Sequence, residues 1–343
     1  MRVRTSDIKD SDRIDIYLNN SDQSSLYHSH LWGEVIWKSF NQKSYYLLCE
    51  DEDGSIQGVL PLVHLKSLLF GNILASMPYF NYGGIITREE APRDLLIQEA
   101  VLIAKEKKTD YLELRQEEPL NNGFAMKTNK VSMRLGLPKS ADELWKSFPS
   151  KLRSQIRVPQ KAGMRVRIGQ LEELDNFYTV FSINMRDLGT PVYPLGFFRN
   201  ILECFPESTR ICTVYQENMP VASGFLAGWK DKLEIPWASS LRQFNRMSPN
   251  MLLYWSCMAF ACEQGYAVFD FGRSTVGEST FRFKEQWGAL PVPLYWHYWM
   301  PGNKPVPDLT TKNPKYRMAI SLWKRLPLPV TRFLGPRIVK NIP

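Results

Sequence analysis

The chain has 343 residues, 44% hydrophobic and 13% aromatic, which suits two well-buried cores and excludes a disordered polymer. Its five cysteines are odd in number and scattered without CxxC spacing, which excludes a disulfide scaffold and points to a reduced, cytosolic protein. The formal charge of +8 is local: eight Lys and Arg follow Asp308 with no acidic residue among them, so the body is neutral, unlike a dedicated nucleic-acid domain.

No apolar run stands behind Met1 to Asp7, and the apolar stretch Ser67 to Phe80 is broken by Gly71 and Asn72, so neither a secretory leader nor a membrane span is expected. Tyr46-Leu-Leu-Cys49, an acidic turn from Glu50 to Gly54, and Ile56-Gln-Gly-Val-Leu60 predict a β-hairpin. Leu95 to Ala104 carries apolar residues at helical spacing and runs into the strand pattern Tyr111-Leu-Glu-Leu114. The breaker cluster Leu135-Gly-Leu-Pro138, followed by Ser140 or Asp142 as a helix N-cap, marks a seam. Trp145, Phe148, Leu152 and Ile156 predict a helix that carries Arg153 and Arg157 four residues apart and ends or kinks at Pro159. The basic run from Lys151 to Arg167 reads either as a grip on phosphates or as a solvated face. A second helix, through Leu171, Leu174, Tyr178, Phe181 and Met185, leads into Arg186-Asp-Leu-Gly-Thr-Pro191.

The earlier pattern then returns. Ile211-Cys-Thr-Val214, a turn at Glu217-Asn218, and Val221-Ala-Ser-Gly-Phe225 repeat the hairpin; Met251 to Cys262 and Val268-Phe-Asp-Phe271 repeat helix and strand. Ile211 follows Tyr46 by 165 positions, as Val221 follows Ile56, without a gap. Leu252 follows Leu95 by 157, which sets Glu113 opposite Asp270. Two copies of hairpin, helix and strand indicate an internal duplication.

The second strand continues as Gly272-Arg-Ser-Thr275, placing Arg273 and Ser274 at a strand C-terminus, where α/β sheets hold their sites. Lys284 follows, flanked by Phe283 and Trp287, so its ammonium could stabilise an oxyanion in a partly apolar cleft. On residue types alone, Asp270, Arg273 and Lys284 fit a structural ion-pair cluster equally well. Gly272 to Gly277 misses the G-x-S-x-G elbow by one residue. His28-Ser-His30 offers two metal ligands without a clustered third, and His297, inside Leu294-Tyr-Trp-His-Tyr-Trp299, reads as a packing residue of an aromatic strand. The chain carries no P-loop, Rossmann fingerprint or zinc spacing.

The strand end Phe-Asp-Phe-Gly-Arg-Ser (269–274), followed by Phe-Lys-x-x-Trp-Gly-Ala ending at Ala289, resembles the FemAB-like transferases and their GNAT-fold relatives. Pro78-Tyr-Phe-Asn-Tyr-Gly-Gly84, Asn184-Met-Arg-Asp-Leu-Gly-Thr-Pro191 and Trp237-Ala-Ser-Ser-Leu-Arg242 resemble the branch associated with exosortase (PEP-CTERM) exopolysaccharide systems. The resemblance implies an α/β (α+β) chain of two tandem GNAT-like domains, each a mixed twisted sheet flanked by helices. With the seam above, their limits fall at 1–137 and 138–300, and a proline-rich basic tail occupies 301–343. It also implies transfer of an acyl or aminoacyl group to form an amide on an amine-bearing peptidoglycan or exopolysaccharide precursor. Phe283 and Lys284 match the pair that stands at the reaction centre in that family. Arg273, Ser274, Asn250 and Trp237, with Tyr79, Asn81 and Tyr82 from the first half, are the expected substrate contacts, and Arg153 and Arg157 the expected phosphate contacts.

No bound cofactor or metal is expected. The donor stays open among aminoacyl-tRNA, acyl-CoA and an acyl carrier, because neither half has the Q/R-x-x-G-x-G/A turn that cradles acetyl-CoA and the coiled-coil insertion of some FemAB members is absent. A catalytically silent scaffold for envelope polysaccharide assembly and a tRNA-binding module are the alternatives; DNA is not an expected partner. In the tail, Tyr316, Ile320 and Trp323 recur at helical spacing among Lys315, Lys324, Arg325, Arg332 and Arg337. They suggest that 309–343 touches the anionic inner face of the membrane peripherally, from the cytoplasm; the alternative is a tail that packs Trp323 and Phe333 against the body.

Overall fold

A computed structural model describes residues 1–68, 70–306 and 314–342. In chain order the first elements are β1 (Arg2–Thr5), α1 (Ser11–Asn19), α2 (Trp32–Phe40), β2 (Lys43–Glu50), β3 (Ile56–Ser67), β4 (Gly71–Ala75), β5 (Ile86–Thr87), α3 (Glu90–Glu106), β6 (Tyr111–Gln116) and β7 (Ala125–Lys127). Next come β8 (Lys130–Gly136), α4 (Ala141–Ser147), α5 (Ser150–Lys161), β9 (Arg165–Gly169), α6 (Leu174–Leu188), α7 (Leu195–Cys204), β10 (Thr209–Gln216), β11 (Met219–Trp229) and β12 (Lys232–Ser240). They are followed by α8 (Pro249–Glu263), β13 (Val268–Thr275), α9 (Ser279–Glu285), β14 (Leu290–Pro293), β15 (Tyr295–Trp299), α10 (Pro314–Trp323) and α11 (Leu328–Val339).

These elements form two compact units: Met1–Val131 with Pro293–Asp308 and Lys340–Pro343, and Ser132–Val292 with Leu309–Val339. The first sheet runs β1-β2-β3-β4-β6-β15-β7, with β5 also against β3; the second runs β9-β10-β11-β12-β13-β8-β14. The units therefore differ from the linear division at 137 and 300. β15, late in the chain, pairs antiparallel with β6, His297 opposite Leu114, while β8 enters the second sheet. Pairing follows the open edge and not the order of synthesis: β6 would otherwise present unpaired backbone groups, and the aromatic alternation of β15 covers them.

Both sheets repeat one order. Three antiparallel neighbours lead to a single parallel step, β4 to β6 and β12 to β13, and each step is bridged by a helix, α3 or α8, as a parallel crossover requires. In the first unit α3 closes a core of Leu47, Leu60, Leu62, Leu74, Leu96, Ala100, Leu112 and Leu114. The hairpins share a bulge: β2 and β3 shift register after Cys49, skipping Gln57, and β10 and β11 shift after Val214, skipping Val221. Val214 follows Cys49 by 165 positions, but Val221 follows Gln57 by 164. The hairpin offset thus needs a one-residue gap at the turn, since a one-residue slip would reverse every side chain of the second strand. Across helix and strand the offset of 157 holds: Ala75↔Glu113 and Glu234↔Asp270 are each the last pair of their parallel ladder.

His297 is 1% exposed, and its Nε2 accepts the Leu120 N–H at 3.1 Å, so it is a packing residue of the aromatic strand. Burial lowers its pKa from 6.5 to about 4. Because the folded pKa lies below the unfolded one, the unfolded chain takes the proton first, and stability present above pH 6.5 is lost as pH falls towards 4. The expected loss across that window is on the order of 2 kcal/mol after allowance for partial solvation. Urea unfolding of the wild type and His297→Gln at pH 7 and 4.5 checks this; an equal acid response in both would remove His297 from it.

The tail packs on the second unit. Thr331, Gly335 and Val339 are buried, and Arg332 donates to Ser182 Oγ at 3.0 Å while its guanidinium lies 5.5 Å from the Tyr178 ring. A Cβ on Gly335 would stand 2.8 Å from the Val192 nitrogen, so glycine permits this approach. Ile320 lies against Gly189 and Trp323 is half-buried, so this part of the expected membrane stripe faces the body. Phe333, which the alternative reading of the tail packs against the body together with Trp323, is instead 62% exposed, with the Arg337 guanidinium 3.8 Å from its ring. The side chains of Lys315, Tyr316 and Arg317, and all of Lys312, lie outside the described residues.

Candidate active site

The second unit holds the candidate site where its parallel ladder ends. β12 and β13 pair through Lys232↔Val268, Leu233↔Phe269 and Glu234↔Asp270, although the strands continue to Ser240 and Thr275. Two local causes coincide. Pro236 has no N–H to give a central strand, and β12 bulges against β11 between Glu234 and Trp237.

Lys284, on α9, lies against the part of β13 that follows the last pair of this ladder. It is 7% exposed, and its Nζ donates to the carbonyls of Gly272 and Arg273, each at 2.9 Å. Burial lowers its pKa from 10.5 to about 8, with the nearby charges of Asp270 and Glu234 opposing the shift. Asp270, fully buried, accepts from Ser132 Oγ at 2.5 Å, Arg134 Nε at 2.9 Å and its neighbour Gly272 N at 2.8 Å. The expected cluster of Asp270, Arg273 and Lys284 is therefore wired differently: Arg134 pairs with Asp270, Lys284 binds backbone, and the Arg273 side chain is exposed.

Ser274 is buried, and its Oγ has no hydrogen-bond partner among the described residues. Ser274 lies past Gly272, whose φ of 72° interrupts the regular alternation of β13, and Phe271 is stacked on Tyr254 of α8 at 5.5 Å. Phe283 meets the same Tyr254 edge-on at 5.1 Å, so it belongs to the aromatic wall beside Lys284. Asn250 is half-buried at the start of α8. Trp237 is ringed by Tyr193, Phe197, Phe198 and Phe225 at 5.1–6.0 Å and anchors α7 to the sheet. Arg153 is half-buried on α5, and Arg157 is exposed with its guanidinium 5.5 Å from the Trp145 ring. The structure thus gathers Arg273, Ser274, Phe283 and Lys284 along β13 and α9, and places Arg153 and Arg157 on a separate helix face.

Residues 146–285, all within the second unit, match the acetyltransferase (GNAT) domain family. The crystal structure of FemX is similar at a TM-score of 0.66 and 16% identity, over 86% of this chain and 97% of that one. The C-terminal domain of a putative lysylphosphatidylglycerol synthetase from Agrobacterium fabrum is similar at 0.57 and 15%, over 85% and 92%. A tandem GNAT protein from the clavulanic acid biosynthesis pathway is similar at 0.54 and 10%, over 89% and 99%. The chain consists of two GNAT-like domains in tandem. No curated protein matches its sequence.

The first GNAT-like domain treats the equivalent position differently. Glu113 stands where the second domain has Asp270, and Arg115 where it has Gly272. Arg115 is buried, donates to Glu113 Oε1 at 2.6 Å and to the carbonyls of Pro78 and Phe80, and lies 4.2 Å from the Trp296 ring. It ties the segment after β4 to β6, whereas Gly272, with φ of 72°, contributes no side chain. The expected substrate contacts of this domain are packed into that closed region. Tyr82 is buried edge-on to Tyr27 at 5.3 Å, the Tyr79 hydroxyl donates to the Lys340 carbonyl at 2.9 Å, and the Asn81 carbonyl accepts from Trp296 Nε1 at 3.1 Å. His28 Nδ1 accepts from Ser25 N at 3.0 Å and His30 Nδ1 is 3.5 Å from Asp15; no group of three potential ligands for a metal occurs among the described residues.

Glu234, Pro236, Ser132 and Arg134 escaped the sequence reading. Pro236 was the available signal, since a proline inside an otherwise continuous strand pattern marks an interrupted ladder.

Proposed function

We propose that the chain is a FemAB-like acyl or aminoacyl transferase that forms an amide on an amine-bearing envelope precursor, at the β13–α9 end of the second GNAT-like domain. One observation carries this reading: the buried Lys284 ammonium is fixed by the carbonyls of Gly272 and Arg273, just before the buried Ser274 hydroxyl on β13, which has no partner among the described residues, past the last pair of the β12–β13 ladder. The acceptor amine attacks the donor carbonyl, forming the C–N bond. The tetrahedral oxyanion draws on the third Lys284 N–H and the Ser274 O–H; collapse breaks the donor C–O or C–S bond, and the proton lost by the amine leaves with the alkoxide or thiolate.

An ammonium held in place by two carbonyls and already desolvated supplies charge without reorganisation, which suits ester and thioester donors alike. The motif resemblance to FemAB-like proteins favours an envelope acceptor, and similarity to a structure whose name is that of a putative lysylphosphatidylglycerol synthetase is in keeping with transfer of an aminoacyl group. The test supplies aminoacyl-tRNA, acyl-CoA or acyl carrier together with an amine-bearing peptidoglycan or exopolysaccharide precursor and detects the amide by mass spectrometry. One donor should give product. A donor that raises the melting temperature without product supports the scaffold reading, and tRNA binding without transfer supports the module reading; either overturns the transferase.

A further inference from the structure

Helices α10 and α11 each turn one face to the body and another to solvent. On α11 the buried Thr331, Gly335 and Val339 recur every fourth residue, while Val330, Phe333, Leu334 and Arg337 occupy the opposite side and are exposed. On α10 the exposed Met318 and Leu322 lie four residues apart, away from Ile320. Lys324 and Arg325 are exposed in the turn that joins the helices. The outward apolar row is thus a second one, distinct from the stripe that covers the body.

A row of large apolar side chains beside cations of one sign, with no carboxylate after Asp308, matches one kind of surface. The acyl boundary of a bilayer takes Met, Leu and Phe side chains, and anionic headgroups take Lys and Arg. A protein partner would be expected to meet charges of both signs. Arg332, half-buried against Ser182 and Tyr178, is not counted; Arg337 is counted for its exposed side chain, although it also donates to the Phe333 carbonyl and lies over the Phe333 ring. Among the described residues no helix is long and apolar enough to cross a membrane, and Pro327 separates the two helices of the tail.

We propose that the outward face of α10 and α11 docks reversibly on an anionic lipid surface. Docking is independent of the transfer chemistry. Flotation of the full chain with phosphatidylglycerol-containing and pure phosphatidylcholine vesicles tests it. Binding is expected to the anionic vesicles alone and to weaken with salt. Lys324→Glu, Arg325→Glu and Arg337→Glu together should lower the partition on the order of 100-fold, and Leu322→Ser with Phe333→Ser roughly tenfold or more. All five positions are exposed, and unchanged melting curves verify the fold. Negligible binding to both vesicles, or binding unaltered in both variants, overturns the proposal. A lipid-free dimer that Leu322→Ser and Phe333→Ser dissociate would assign the face to a second copy of the chain and overturn it equally.

Discussion

Replacing Lys284 with alanine is expected to lower turnover by roughly 10²–10³ while the protein stays folded, because an oxyanion donor is worth that much in a water-excluded site. KM should change little, since the contact is strongest in the transition state. The pH profile separates an electrostatic role from a basic one. The ammonium is lost as pH rises through about 8, so turnover should fall on that limb, and the limb should disappear in Lys284→Arg. Rising activity through the same pH would make Lys284 a base. Stability moves the other way: the unfolded lysine holds its proton to about 10.5 and the folded one only to about 8, so the wild type gains stability between those values. Lys284→Met should remove that gain, and unchanged turnover in the alanine variant would exclude Lys284 from the mechanism.

Arg115→Ala is expected to cost about 3–5 kcal/mol, the usual consequence of removing one partner from a buried ion pair. Glu113 would be left buried beside alanine, and the carbonyls of Pro78 and Phe80 would lose their donor. Urea unfolding reads the loss in the transition of the first domain. Arg115→Met combined with Glu113→Gln should recover a large part of it, because no charge is then left unpaired. A loss below about 1 kcal/mol would mean that water reaches Glu113 readily.

The repeating architecture was legible because hydrophobic periodicity is local: hairpin, helix and strand each announce themselves within about ten residues. The pairing of Glu113 with Asp270 survived into the ladders, whereas the hairpin offset did not, because a turn can lose one residue without changing the pattern on either side. The Phe283–Lys284 motif was legible as a sequence, and the structure adds what fixes its geometry. The two carbonyls that hold Lys284 belong to Gly272 and Arg273, and backbone acceptors have no signature in residue types. Arg134 was missed as the partner of Asp270 for a different reason. Their contact spans 136 positions and depends on β8 entering the second sheet, a choice that strand pattern does not specify.

The crossed membership of β8 and β15 bears on how the protein is made. On the ribosome, Tyr111–Gln116 emerges long before Tyr295–Trp299, so β6 cannot gain β15 as its partner until residues 132–292 of the second unit have been synthesised. Closing that pairing late requires a long loop to be ordered, which slows folding and leaves an aggregation-prone edge exposed meanwhile. A fragment ending at residue 137 should therefore bind chaperones and precipitate, and adding a peptide of residues 293–306 in trans should restore its solubility by strand complementation.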